Sequence, residues 1–226
     1  MREDVLTAIL AADKELSRDE PEVAANIGKQ LEHMGLSTWS ISVRRRIRDA
    51  IARVQPRSII QTGAAIGHLS AWILDYFDGK DGLEKYQIIE EGNRFAVILT
   101  RLCQRYSEVP TNIVVGVPTL LTSELKAWKI SKVGDPPILE KADVIIVDAI
   151  MERLAEDVGS MLPLLNKNGV LFTVEPDPPV GDRDDFDTEV VGFNKWMDLI
   201  RDTNETHHIA FAPLFGGTIV AWLSKN

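Results

Sequence analysis

Two rhythms of apolar residues divide the chain near residue 56. Before it, Val5, Ile9 and Leu10, then Val23, Ile27 and Leu31, fall at helical spacing with charged residues between them. The segment Val43–Arg53 repeats apolar side chains at four-residue steps around a run of arginines. After it, short β-rich runs alternate with helical stretches. The runs predict strands over Ser58–Gln61, Gln87–Glu90, Asn112–Val115, Val144–Val147, Val170–Val174, His208–Pro213 and Thr218–Leu223. Helical patterns lie between them at Leu69–Phe77, Arg94–Tyr106, Arg153–Leu165 and Phe193–Asp202. This alternation predicts an α/β fold whose mostly parallel sheet is covered on both faces. Only Gly216-Gly217 joins the last two strands, too short a link for a crossover helix, so they are expected as an antiparallel hairpin. Residues 1–55 read as a helical cap or dimerisation segment of the same domain, and 56–226 as the ligand-binding part.

Composition changes this picture only at its edges. The 226 residues carry 25 Lys+Arg against 34 Asp+Glu, a net charge of −9, which argues against affinity built on phosphate neutralisation. The Arg44–Arg48 cluster invites a nucleic-acid reading. Its alternative is a solvated or partner-facing helix side, with arginine stems lying over apolar surface. The single cysteine, Cys103, excludes an internal disulfide and any multi-cysteine metal site. With no signal-type apolar region and no apolar run near ~18 residues, a cytoplasmic protein without a membrane partner is expected.

Three strand ends carry the candidate chemistry. Ile60-Gln61-Thr62-Gly63-Ala64-Ala65-Ile66-Gly67-His68 runs a strand into glycines four apart and then into a helix. Such a turn admits a ligand close to the backbone and aims N–H groups at its polar atoms, although glycine at a strand exit is also an ordinary turn. The full G-x-G-x-x-G pattern is absent, as is the Gly-Lys-Ser/Thr ending of a phosphate loop. Glu90 ends the next strand about 20 residues later, where a carboxylate accepts hydrogen bonds from ribose hydroxyls. Glu91 follows it and is expected on the opposite side of the strand. Asp148 ends the apolar run Val144–Val147, either as a functional carboxylate or as an N-cap. The Pro-, Asp- and Gly-rich stretch Pro176–Asp187 follows a strand's carboxyl end, as a substrate-covering loop or a plain acidic one.

In this order and spacing the chain resembles class I S-adenosylmethionine-dependent methyltransferases. It is most similar to the O-methyltransferases of the catechol and caffeoyl-CoA type. The likeness runs from about residue 30 to the end, through Ile60–Gly67, Ile88-Ile89-Glu90, Val115-Gly116-Val117-Pro118, Asp148, Leu164–Leu171 and Phe215-Gly216-Gly217-Thr218. It implies a Rossmann-like seven-stranded sheet, a homodimer, and methyl transfer from S-adenosylmethionine to a small-molecule acceptor. The cofactor residues it implies are Gln61, Gly63, Ala64, Gly67, His68, Ser70, Glu90, Glu91, Val117, Pro118 and Asp148, with Asp148 also as the catalytic group. The family pattern departs at several positions. Gln61 stands where the family has Glu, and Leu69 stands at the serine that meets the methionine carboxylate, with Ser70 beside it. The Mg²⁺ that the family holds would fall to Asp148 and Glu175, because Glu175-Pro176 replaces an Asp-Asn pair. Met151 stands at the catechol branch's lysine base. Two other readings follow from these departures and from the arginines: an S-adenosylmethionine-binding protein without catalysis, and a tRNA methyltransferase.

Overall fold

Three helices precede the sheet in the computed structural model, which describes residues 2–225: α1 (Arg2–Leu10), α2 (Glu22–His33) and α3 (Ile41–Val54). Strands and helices then alternate as β1 (Ser58–Thr62), α4 (His68–Phe77), β2 (Lys85–Glu90), α5 (Asn93–Gln104), β3 (Thr111–Val115), α6 (Pro118–Ser131) and β4 (Ala142–Val147). The chain continues through α7 (Met151–Met161), a 3-10 turn at Leu162–Leu164, β5 (Leu165–Val174), α8 (Thr188–Thr203), β6 (His207–Leu214) and β7 (Gly217–Ser224). The sheet order is β3-β2-β1-β4-β5-β7-β6. β1 pairs in parallel with both β2 and β4, while β7 lies antiparallel to β5 and β6. The sheet is therefore Rossmann-like, with the C-terminal hairpin expected from the glycine link. The order reverses between β1 and β4, and at such a switch point loops diverge and leave a crevice above the strands' carboxyl ends.

Strand alternation sorts the core onto two faces. Ile59 and Ile88 join the cluster under α1 to α5, whereas their neighbours Ile60 and Ile89 join the cluster under α6 to α8. Trp72 fills the first layer, and Trp196 meets Trp222 edge-to-face in the second, with ring centroids 5.6 Å apart. The N-terminal helices belong to the first cluster through Leu6, Leu10, Ile27, Leu31, Val43 and Ile47. The apolar face of α1 thus runs through Leu6 and Leu10, and Val5 is exposed, because the helix rests against α3 and β6 rather than on an isolated stripe.

Two features depart from the pattern read along the chain. The helix α6 was not legible, since Leu120 and Ile130 are 60% and 89% exposed and blur any single face. Pro118 begins it at a position where its missing N–H costs nothing. The arginines of α3 do not form a solvated face. Arg44 and Arg48 are buried, and the set grips the segment joining α1 to α2. Arg46 Nη1 donates to Leu10 O at 2.6 Å, Arg48 Nη2 to Ser17 O at 2.7 Å, and Arg53 to Ile9 O and Asp13. Carbonyls at the end of α1 carry partial negative charge, so the cations cap it. Among the described residues no helix is long and apolar enough to cross a membrane.

Candidate active site

The glycine turn is shaped first by packing. Gly63 has φ +70°, and a Cβ there would stand 1.8 Å from the carbonyl oxygen of Asp148 on the neighbouring strand end. Gly67 has φ +91° and would meet Leu102 and Leu99 of α5 at 2.5 and 2.9 Å. Glycine at these two positions lets β1 and β4 close and α5 pack under the turn. Ala65 adopts a left-handed φ of 48°, and its N–H donates to Glu90 Oε2 at 2.8 Å. Glu90 Oε1 accepts from Gly92 N–H at 3.0 Å. Burial raises the Glu90 pKa, and these two N–H bonds work against that rise.

A cavity of about 630 Å³ opens above this turn, within the roughly 300–1,000 Å³ usual for small-molecule sites. Gly63, Ala65, Glu90, Glu91, Pro118 and Asp148 line it, together with Trp39 from the loop before α3 and Ile150 and Arg153 from the start of α7. Asp148 is not an N-cap: Ile150 holds that place on α7 and no side chain caps the helix. The Asp148 N–H instead donates to Thr62 O at 3.2 Å, which fixes the two strand ends together. Burial, and then the nearby Glu90 carboxylate, push the Asp148 pKa up to about 7. Two carboxylates so arranged do not ionise independently near neutral pH.

Glu91 lies just beyond β2, so strand alternation no longer sends it to the other face. It lines the same cavity and pairs with Arg153 Nη1 at 2.7 Å. Arg153 Nη2 also meets both carboxylate oxygens of Asp157, at 3.3 and 3.1 Å. Asp157 is buried and sits on the same cavity wall.

The remaining sequence candidates sit deeper. Gln61 Oε1 accepts from Ser70 Oγ at 3.0 Å and from the Tyr86 hydroxyl, a buried network beneath the turn. Gln61, Ala64 and His68 line a small adjoining recess with Arg44, Trp39 and Asp148. His68 Nε2 lies 3.0 Å from Glu20 Oε1, an oxygen that also accepts from Arg44 Nη2 at 2.8 Å and Trp72 Nε1 at 3.2 Å. Burial, and then Arg44, lower the His68 pKa, and the Glu20 carboxylate works against that fall. Arg44 Nε and His68 Nδ1 are buried without a hydrogen-bond partner. Gly67 and Ser70 reach neither cavity wall, and Val117 is the N-cap residue immediately before Pro118.

Glu20, Trp39, Arg44, Arg153 and Asp157 were not picked out from the sequence as site residues. Glu20 lies in an irregular acidic loop, and only the tertiary packing of that loop brings it to His68. Arg153 and Asp157 did leave a signal, a charged pair one helical turn apart just after a strand-end carboxylate.

The donor set falls short of a divalent-cation shell. Among the described residues no group of three or more His, Cys, Asp or Glu side chains gathers to hold a metal. Glu175, beyond the end of β5, ties its N–H to Thr218 O at 2.8 Å, and Pro176 beside it adds no side-chain oxygen.

No family model matches the chain, and no curated protein matches it. Solved structures do. The O-methyltransferase TomG from Streptomyces achromogenes, involved in tomaymycin synthesis and crystallised with SAM, aligns over 98% of this chain and 95% of its own, at 16% identity and TM-score 0.67. An O-methyltransferase from Bacillus cereus in complex with SAH aligns over 98% and 100%, at 14% identity and TM-score 0.67. The SAH-bound methyltransferase PaMTH1 of Podospora anserina covers 99% of this chain and 95% of its own, at 14% identity and TM-score 0.64. At such identities the likeness shows a shared fold: the chain has, over nearly its whole length, the architecture of these methyltransferases.

Proposed function

We propose that the protein is an S-adenosylmethionine-dependent methyltransferase that methylates an oxygen of a small-molecule acceptor, with Asp148 taking the acceptor's proton. The observation that carries this reading is the convergence of Glu90 and Asp148 on one cavity above the Gly63–Gly67 turn. Glu90 stands where ribose hydroxyls are met in this kind of sheet. The recess beside the turn holds Arg44 and His68, with buried nitrogens still able to bond, for the amino-acid half of the ligand. The methyltransferases that share the fold were crystallised with SAM or SAH, which supports the same ligand here.

Bound S-adenosylmethionine supplies an electrophilic methyl group on a sulfonium. The chain's own residues must hold an acceptor oxygen in line with it and remove a proton. Asp148, with a pKa pushed to about 7, is matched to that task near neutral pH. Trp39 lines the cavity beside Asp148 and the glycine turn with apolar surface, which limits water there. Met151 carries no base, and Pro176 brings no side-chain ligand for Mg²⁺. The arginines of α3 are bonded to carbonyls and carboxylates, which removes the ground for a tRNA substrate. The reading retains the homodimer and cytoplasmic setting expected from the sequence, and light scattering tests the former.

Titration calorimetry with S-adenosylhomocysteine, followed by methyl transfer to a catechol, flavonoid and hydroxy-acid panel with and without Mg²⁺, tests the proposal. Absence of S-adenosylhomocysteine binding overturns it. Binding without transfer to any acceptor replaces it with a non-catalytic S-adenosylmethionine-binding protein.

A further inference from the structure

The sheet order sets Gly63, after β1, and Pro118, after β3, on opposite sides of Glu90, and Phe95, Ile150, Arg153 and Asp157 line the same cavity. With the ribose at Glu90 and the amino-acid half at the turn and the adjoining Arg44–His68 recess, the purine base falls to the Pro118 side. There Pro118 and Ile150 offer apolar surface for the ring faces. An adenine edge also needs an acceptor for its exocyclic amine and a donor for the adjacent ring nitrogen.

The loop after β3 cannot meet that need with side chains. Val117 is apolar, its carbonyl accepts the Leu121 N–H at 3.0 Å, and Pro118 has neither a side-chain acceptor nor an N–H. Asp157 can. Its carboxylate is 3% exposed, lies on the cavity wall, and has Arg153 as its side-chain partner, leaving further lone pairs on both oxygens. The Arg153 guanidinium beside it is held in place by Glu91 at 2.7 Å and by Asp157 itself. Acceptor and donor thus stand side by side on one face of α7, one helical turn apart.

We infer that Asp157 and Arg153 read the adenine edge of the bound nucleoside, Asp157 accepting from the 6-amino group and Arg153 donating to the neighbouring ring nitrogen. This rests on the S-adenosylmethionine reading and adds the residues that make it selective for adenine. A 6-oxo purine would set a carbonyl against the Asp157 carboxylate, two acceptors face to face in a buried place. Glu91 then acts as a positioning residue that keeps Arg153 aimed at the base.

The test is calorimetric binding of S-adenosylhomocysteine and S-inosylhomocysteine to the full chain and to Asp157→Asn. The wild type is expected to favour the 6-amino ligand by about 100-fold or more. Asp157→Asn offers an amide donor to the 6-oxo group and is expected to bring the ratio below about tenfold. A merely structural role for Asp157 would weaken both ligands equally and leave the ratio intact, which overturns the inference. A wild-type ratio near one overturns it without any variant, should Asp157→Asn not fold. If the wild type binds neither ligand, the S-adenosylmethionine reading itself falls.

Discussion

The carbonyl oxygen of Asp148 lies 1.8 Å from the point where a Cβ on Gly63 would stand. The first glycine of the turn is therefore required by the approach of β4 to β1, before any ligand enters. Asp148 N–H also bonds Thr62 O, so the strand ends that bound the cavity are tied at the residue that carries the candidate base.

Gly63→Ala is expected to destabilise the protein by about 3 kcal/mol or more, because the obstacle is backbone and φ is positive. At Gly67 the obstacles are the flexible ends of Leu99 and Leu102, so Gly67→Ala should cost less. Thermal or urea unfolding of the two variants measures the order, and an equal loss would contradict this account.

Glu90→Ala removes the acceptor of both the Ala65 and Gly92 N–H groups. The turn should loosen, and S-adenosylhomocysteine affinity should fall by about 10- to 100-fold. Glu90→Gln keeps one acceptor and should lie between. Calorimetry on the three proteins checks the series.

Asp148 sets a pH dependence whose sign is fixed by its raised pKa. Its carboxyl holds a proton in the folded state up to about pH 7 but only to about its ordinary 3.8 when unfolded. Stability from this group is present at low pH and is lost as pH rises through that window, by up to about 4 kcal/mol. Asp148→Asn should therefore melt higher than the wild type at pH 8, and the two should converge near pH 4. Methyl transfer by the wild type should rise with pH to a plateau above about 7, and Asp148→Asn should lose that rise.

Glu20 bonds Arg44, His68 and Trp72 through one oxygen. Glu20→Ala strands the buried Arg44 guanidinium and should cost about 2–4 kcal/mol, measured by chemical unfolding. Cleavage by limited proteolysis between α1 and α2 should become faster in Arg46→Ala, since Arg46 caps the end of α1 at Leu10.

The sheet was legible because each central strand is an apolar run bounded by breaks, and all seven formed where the runs lie. The hairpin followed from a link too short for a helix. The helix α6 was hidden because Leu120 and Ile130 face outward, and a helix with apolar residues on several sides has no readable stripe. Glu91 was expected away from Glu90 on the assumption that β2 continues through it. The strand ends at Glu90, so the two side chains share one cavity.

The strands, most of the helices, the mostly parallel sheet with its closing hairpin and the three strand-end groups at Gly63, Glu90 and Asp148 came from local pattern, since period and spacing are properties of the chain itself. Tertiary structure decided what these groups face. Burial beside Glu90 gives Asp148 its shifted pKa, and neither residue alone carries that information. The arginines of α3 read as a charged face until the 10–20 segment supplies carbonyls that take them inward. Asp157 and Arg153 became candidates only because α7 turns that face onto the cavity above β2. Desolvation and long-range pairing depend on which distant residues fold together, and those are the quantities that determine this site's chemistry.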